Sequence, residues 1–207
     1  MSKRSKSSHR WLREHEGDEF VRRARQEGWR SRAVYKLEEM HRQGALFRPG
    51  MVIVDLGAAP GAWSQYATSL LDGRGHVVAV DLLAMDPLPD VTFIQGDFRV
   101  DEVLEAVNEA TESRGVDLVM SDMAPNLSGT AAVDQPRAMY LAELAIDFAR
   151  DRLRAGGSFV TKLFQGEGAD AYIADARRCF ENVKVRKPKA SRPRSREVYL
   201  VARNYRV

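Results

Sequence analysis

The stretch "VIVDLGAAPGAWSQYA" (Val52–Ala67) decides the fold. Met51–Asp55 is a short apolar run closed by an aspartate, the pattern of a strand buried on both faces. A turn rich in glycine and proline follows, Gly57 to Gly61, and a helical segment runs from about Trp63 to Leu71. A strand, a glycine turn and a helix in that order open an α/β unit. In open α/β sheets, ligands sit beyond the carboxyl ends of the strands, where such turns lie.

Outward from that stretch the pattern alternates. Upstream, "SRAVYKLEEMHRQ" sets Val34, Leu37 and Met40 at helical spacing, and "RPG" at 48–50 ends that helix. Downstream, "HVVAVDL" (76–82) and "VTFIQGD" (91–97) read as strands, and Val100–Ser113 as an acidic amphipathic helix. "VDLVMSD" (116–122) is a strand, then come a loop, a long helix near Ala138–Leu153, and strand "SFVTKLF" (158–164). A helix near Asp170–Phe180 precedes two closing strands, "NVKVRK" and "EVYLVAR", with only a loop between them. Strands separated by helices predict a parallel sheet covered on both faces, and the last two strands an antiparallel hairpin at its edge.

The chain has 207 residues, 44% hydrophobic and 29% charged, which suits one well-buried domain. Its apolar runs are strand-sized, well under the roughly 20 residues of a membrane span. "MSKRSKSSHRWLREHEG" has no apolar core after its charges, so no secretory signal is expected. The single cysteine, Cys179, builds no disulfide framework, and four scattered histidines offer no zinc spacing. A cytoplasmic protein with no metal is therefore expected, and nothing in the sequence demands more than a monomer.

Charge is unevenly placed. Residues 1–32 hold ten Lys and Arg against five Asp and Glu, and residues 184–196, "KVRKPKASRPRSR", hold seven against none. Residues 33–183 hold thirteen against twenty-three. An acidic body thus carries two basic segments. Brought together they make one surface for a phosphate backbone; left apart they are two solvated tails, and charge alone leaves both open. Residues 1–28 show no sustained periodicity and read as a flexible basic arm before a single domain, 29–207.

Four predicted strands end on aspartate: Asp55, Asp81, Asp97 and Asp122. Any one of them reads equally as a cap or turn residue; four together read as a binding rim. The turn G-A-A-P-G lacks the G-x-G-x-x-G dinucleotide fingerprint and the G-K-[ST] of a phosphate loop. Pro60 also removes one backbone N–H from any phosphate cradle. An acidic rim suits a ligand with a sugar, a base and a positive charge but no phosphate, and S-adenosylmethionine has those properties. Asp81 can accept from ribose hydroxyls, and Asp97 from the adenine amino group. Asp55 and Asp122 are expected to flank the cationic methionine end, where Gly57 and Gly61 allow close backbone approach. Trp63 either covers the ligand or anchors the core.

"DLGAAPGAWSQ", "DMAPN" and "SREVY", taken together, resemble the FtsJ-type family of ribosomal RNA 2′-O-ribose methyltransferases, in its large-subunit uridine branch. The similarity runs from "SRAVYKL" to the end of the chain. It implies a Rossmann-like class I methyltransferase fold, with a mostly parallel seven-stranded sheet and one antiparallel edge strand. It implies S-adenosylmethionine as donor, with contacts at positions that include Gly61, Trp63, Asp81, Asp97 and Asp122. The family's Lys-Asp-Lys-Glu tetrad falls on Lys36, Asp122, Lys162 and Glu197, and Lys162 is implied as the catalytic base.

Read without the family, methylating a ribose hydroxyl needs an oxygen placed in line with a methyl on positive sulfur. A free lysine is protonated at neutral pH. Burial and a neighbouring Lys36 would lower the Lys162 pKa, while Asp122 and Glu197 would raise it. Two roles stay open for Lys162: neutral base, or cation that stabilises the developing alkoxide. The basic segments then fit an RNA grip, with Arg32, Lys187, Lys189, Arg192, Arg194 and Arg196 on phosphates. Trp11 and Trp29 are either stacking platforms or core anchors.

The expected function is S-adenosylmethionine-dependent 2′-O-methylation of large-subunit ribosomal RNA, on the assembled subunit. A transfer RNA or messenger cap substrate keeps the chemistry and changes the partner; the compact length favours the ribosome. The failed glycine fingerprint and the acidic rim argue against an NAD-linked oxidoreductase. The intact tetrad argues against a non-catalytic RNA-binding relative.

Overall fold

The structure is a computed structural model that describes residues 18–112 and 114–207. Seven strands form one sheet in the order β3-β2-β1-β4-β5-β7-β6. The first five are β1 (Val52–Leu56), β2 (His76–Asp81), β3 (Val91–Gln95), β4 (Val116–Ser121) and β5 (Leu153–Phe164). They pair in parallel. β6 (Phe180–Arg186) and β7 (Glu197–Tyr205) form the closing hairpin, and β7 lies antiparallel to both β5 and β6. The reversed strand is therefore one in from the edge, and β6 is the edge. The hairpin folds back so that the more apolar β7, buried from Glu197 to Ala202, takes the interior place. β6 is mostly exposed after the buried Phe180, which suits an edge.

Among the described residues, six helices cover the two faces. α1 (Glu19–Gln26), α2 (Val34–Gly44) and α3 (Ala62–Leu71) lie on one; α4 (Asp101–Ala110), α5 (Ala131–Arg152) and α6 (Ala169–Cys179) lie on the other. Strand side chains alternate between the two cores: Ile53, Leu118, Val160 and Tyr199 pack with α2 and α3, while Val54, Val119, Phe159 and Leu200 pack under α5 and α6. That alternation of buried residues on both sides is why the strands read as unbroken apolar runs.

Two boundaries differ from the sequence reading. The irregular arm was drawn through residue 28, yet Glu19–Gln26 is helical, with Asp18 accepting from Phe20 N at its start and Val21 and Ala24 buried. Only Phe20, Val21 and Ala24 are apolar in that stretch, too few to show a period. α5 begins at Ala131, seven residues before the expected start, with Pro136 inside it. The Asp134 carboxylate accepts from Ser128 N, Ser128 Oγ and Gly129 N, and so folds the preceding loop onto the first turn of α5. The segment before residue 18, including Trp11, lies outside the described residues.

Candidate active site

The carboxyl ends of β1, β2 and β4 open into a cleft of about 590 Å³. Gly57 forms its floor at φ 72°, a left-handed backbone conformation that disfavours any side chain, and a Cβ there would stand 2.3 Å from Met123 Cγ. Asp81 accepts from Ala59 N and from Leu83 N, both at 2.8 Å, so its carboxylate shapes the rim. Each of its oxygens keeps a further lone pair. Leu82 and Leu83 are 66% and 68% exposed at the same rim, apolar surface with nothing packed over it.

Asp97 also lines the cleft, but its carboxylate is already engaged. Arg99 donates through Nε to both oxygens (2.9 and 3.0 Å) and through Nη2 to Oδ2 (2.5 Å), and its Nη1 donates to the Tyr140 hydroxyl (3.1 Å). The hydrogen bonds from Arg99 hold the Asp97 carboxyl below its ordinary value. Arg99 and Tyr140 were not among the residues the sequence singled out; a cation two positions after a rim aspartate was the available signal.

Not every expected rim residue reaches this cleft. Asp55 is buried and its Oδ2 accepts from Ser64 Oγ at 2.6 Å, beneath the turn. Burial pushes its carboxyl up to about 7. Trp63 is an anchor: it is buried, its Nε1 donates to Ala33 O (2.9 Å), and its ring packs against Tyr199. Gly61 begins α3 at φ 101° and faces Met85 and Arg30, away from the cleft lining. Pro60 is exposed, with its carbonyl accepting from Arg30 Nη1 at 3.0 Å.

Beside the cleft, four charged side chains meet. Lys36 Nζ lies 2.7 Å from Glu197 Oε1; Lys162 Nζ lies 3.0 Å from Asp122 Oδ1 and 3.5 Å from Glu197 Oε2. Lys162 Nζ also donates to the Asp122 carbonyl at 2.8 Å. Lys36 comes from α2, Asp122 follows β4, Lys162 is near the end of β5, and Glu197 opens β7. The antiparallel β7 is what brings Glu197 opposite Phe164, at the end of the sheet where Lys162 stands. Tyr199, two residues on and so on the same face of β7, donates to Asp122 Oδ1 (2.5 Å) and accepts from Lys36 Nζ (3.0 Å). Ser191 Oγ donates to Glu197 Oε1 at 2.9 Å. The sequence reading missed Tyr199, although its parity with Glu197 pointed to it.

Electrostatics keep this cluster ionised. Burial pushes the Asp122 and Glu197 carboxyls up, but the ammonium groups of Lys36 and Lys162 outweigh it and hold both below their ordinary values. Burial pulls the Lys162 ammonium down, and Asp122 and Glu197 outweigh that in turn, leaving it above its ordinary value. Burial with the two carboxylates holds the Tyr199 phenol well above 10, so it stays a neutral donor. Lys162 is therefore a cation at rest.

A second cavity, about 280 Å³, opens on the other side of the cluster, lined by Lys36, Glu197, Arg32, Arg192, Leu127 and Phe164 among others. Asp122 lines the first cleft, and Ala124 lines both. The two cavities thus meet at the "DMAPN" loop with the charge cluster between them.

The basic residues divide by role. Arg32 pairs with Asp18 and donates to Ala190 O, so it ties α1 to the 187–196 loop as well as lining the second cavity. Lys187 donates to Ser195 O and Glu197 O, closing the loop on itself. Lys189, Arg194 and Arg196 are exposed, and Arg192 is half-buried at the cavity. Trp29 packs edge-on against Tyr66 and donates to Glu27 Oε2.

Comparison with known proteins matches the sequence profile of the FtsJ-like methyltransferases over residues 29–205. The chain belongs to that family. This methyltransferase is 57% identical over 203 residues to the ribosomal RNA large subunit methyltransferase E of Pseudomonas fluorescens, covering 98% of this chain and 97% of the relative. Among solved structures it is similar to one described as a ribosomal RNA methyltransferase of Plasmodium falciparum, with a TM-score of 0.77 and 29% identity over 86% of this chain and 98% of that one. It also shares its fold with human methyltransferase-like protein 13, solved in complex with SAH, at a TM-score of 0.60 and 14% identity over 83% and 82% of the two chains. Among the described residues no helix is long and apolar enough to cross a membrane, and no group of three His, Cys, Asp or Glu could hold a metal ion.

Proposed function

We propose that this methyltransferase carries a methyl group from S-adenosylmethionine to the 2′ hydroxyl of a uridine ribose in large-subunit ribosomal RNA, on the assembled subunit in the cytoplasm. It does so as a monomer built on a single domain, 29–207. The observation that carries the reading is the junction of the two cavities at Asp122 and Ala124, with the buried Lys36, Lys162 and Glu197 and the half-buried Asp122 between them. A donor in one cavity and an acceptor in the other would meet at that cluster. The near-full-length similarity to a ribosomal RNA large subunit methyltransferase supports the choice of RNA.

The first cleft fits the donor. Asp81 has lone pairs free for ribose hydroxyls, the exposed Leu82 and Leu83 offer an apolar surface to a purine face, and Asp97 is in place for an exocyclic amine. Among the described residues Arg99 is the one Lys or Arg in the lining, and it is spent on Asp97. That is poor provision for a pyrophosphate. When bound, S-adenosylmethionine supplies a methyl on positively charged sulfur. On the acceptor side, Lys162 and Lys36 are placed to hold the hydroxyl oxygen and stabilise negative charge as it develops there. The carboxylates of Asp122 and Glu197 stand beside it as acceptors for the hydroxyl proton. Arg32, Lys189, Arg192, Arg194 and Arg196 hold the RNA backbone around the second cavity.

The test is transfer from methyl-labelled S-adenosylmethionine to undermodified large subunits, followed by nuclease digestion and mapping. Label on a uridine 2′ oxygen is expected. Label on a base would overturn the mechanism; label in transfer RNA with none in the subunit would overturn the substrate.

A further inference from the structure

Away from the two cavities at the cluster, a third cavity of about 440 Å³ lies between the C-terminal half of α2 and the open face of the β6–β7 hairpin. Among the described residues its lining holds Lys184 and Arg186 of β6 and Arg203 of β7, with the amides of Gln43 and Asn182, and no aspartate or glutamate. Three cations in one concave lining contrast with a body, residues 33–183, in which acids outnumber bases.

The arrangement follows from strand parity. Asn182, Lys184 and Arg186 alternate onto one face of β6, and their partners across the ladder are Arg203, Val201 and Tyr199. The α2–α3 layer does not extend over β6, so this face stays open where the neighbouring strands are covered. Arg203 donates to Ala45 O at the end of α2. The side chains of Lys184 and Arg186 form no hydrogen bond or ion pair with other described residues. Two acids on the flanking elements are engaged elsewhere: Glu39 of α2 accepts from Lys189 N and from Gln43 Nε2, and Glu181 of β6 from Asn204 Nδ2.

Charge on an edge strand also discourages pairing with other sheets. That accounts for lysine on β6. It does not account for the concavity, nor for Arg203 and Gln43 converging from two other elements.

We infer that this groove is a second RNA track, holding the phosphate backbone of the strand that flanks the acceptor nucleotide. The inference rests on the ribosomal RNA reading above. A positively charged groove lined by cations and amides is the form that follows a single strand without reading its bases. Its position suits that occupant. From Lys36 to Gln43 along α2 is about 10 Å, and between them the 187–196 loop crosses α2, where Lys189 N meets Glu39. The exposed Lys187 and Lys189 mark that crossing, so cations continue from the cluster to the groove. The strand leaves the second cavity, passes over the loop, and enters the groove at Arg186.

The test is a Lys184→Ala/Arg186→Ala variant, with binding to protein-free ribosomal RNA measured across a salt series. Loss of two phosphate contacts should make the slope of log K against log salt shallower by about 1.4 to 1.8. It should also raise the RNA KM about tenfold at moderate salt while S-adenosylmethionine affinity stays at the wild-type value. Should the double variant lose cofactor binding through misfolding, Lys184→Ala alone carries the test, with about half that slope change. An unchanged slope overturns the groove. So does a defect seen on intact subunits but absent on protein-free RNA, which would give the groove to a ribosomal protein. Wild-type protein that binds RNA but methylates no ribose overturns the activity reading instead, and the slope still decides the groove.

Discussion

The cleft and the charge cluster are neighbours that share Asp122, yet they are built on opposite terms. In the cleft, Asp81 is half-buried, braces a turn through two backbone N–H groups, and keeps lone pairs in reserve. In the cluster, Lys36, Lys162 and Glu197 are buried and Asp122 half-buried, and the four spend themselves on one another and on Tyr199. Desolvating four charges costs more than an apolar core of the same volume would. A cleft with spare acceptors serves binding; a saturated ionic cluster serves chemistry, because its groups are oriented before the acceptor arrives. The sharpest way to break that division is to alter one side and watch whether the other responds.

The largest effect is expected at Lys162. Lys162→Met keeps the volume and removes the charge, and turnover should fall by about 10³-fold while cofactor affinity stays within threefold. A matching loss of cofactor affinity would show that the cluster also builds the cleft. The pH dependence separates the two roles left open by the sequence. Lys162 sits above its ordinary 10.5, so its charge and its share of stability are complete below that value and are lost only as pH rises through the raised one. Asp122 and Glu197 sit below their ordinary 3.8 and 4.5, so their shares are complete above those values and are lost as pH falls through the depressed ones. Lys162, Asp122 and Glu197 are thus all charged across neutrality. Turnover at saturating substrates should be flat from about pH 6 to 9. A tenfold rise per pH unit would instead make Lys162 a neutral base.

A smaller effect, confined to the cleft, is expected from Asp81→Asn. The amide keeps one acceptor for the rim but loses the charge, and hydrogen bonds to charged groups contribute roughly 1.5–3 kcal/mol. Cofactor affinity measured by calorimetry should weaken about tenfold or more, with turnover at saturating cofactor nearly unchanged. Equal binding by the variant would remove Asp81 from the ligand's contacts.

The same contrast explains what the sequence could show. The sheet architecture came close, a mostly parallel seven-stranded sheet with one reversed strand, because apolar runs ending in aspartate, split by helices, leave few topologies. Lys36, Asp122, Lys162 and Glu197 stand on four separate elements, and the motif resemblance selected them where spacing alone would not. Side-chain direction was harder to read. Asp55 and Asp122 both close apolar runs, yet Asp55 lies within β1 and turns to Ser64, while Asp122 lies one residue past β4 and reaches Lys162, a difference in depth along the sheet. Trp63 looked equally suited to lid or core until Ala33 O supplied its partner. Arg99 was hidden because it acts through Asp97, two residues away, and Tyr199 because its partners Asp122 and Lys36 stand on other elements.

Arg99 gives the finest distinction within the cleft. It donates to both oxygens of Asp97, and Arg99 N donates to Oδ1 as well, so a carboxylate with about four acceptor sites is nearly filled. An exocyclic amine that donates to Asp97 must therefore share it with the guanidinium or displace it. Arg99 is half exposed, and an exposed ion pair contributes only about 0–1 kcal/mol, so displacement is cheap. If Arg99 competes, Arg99→Ala should bind S-adenosylmethionine up to about fivefold more tightly. If it instead fixes the carboxylate for the ligand, the same variant should bind more weakly, and Arg99→Lys, which lacks the planar fork, should not restore it. Competition is the expected outcome, because the Asp97 oxygens already have donors whose geometry leaves little room for a third partner.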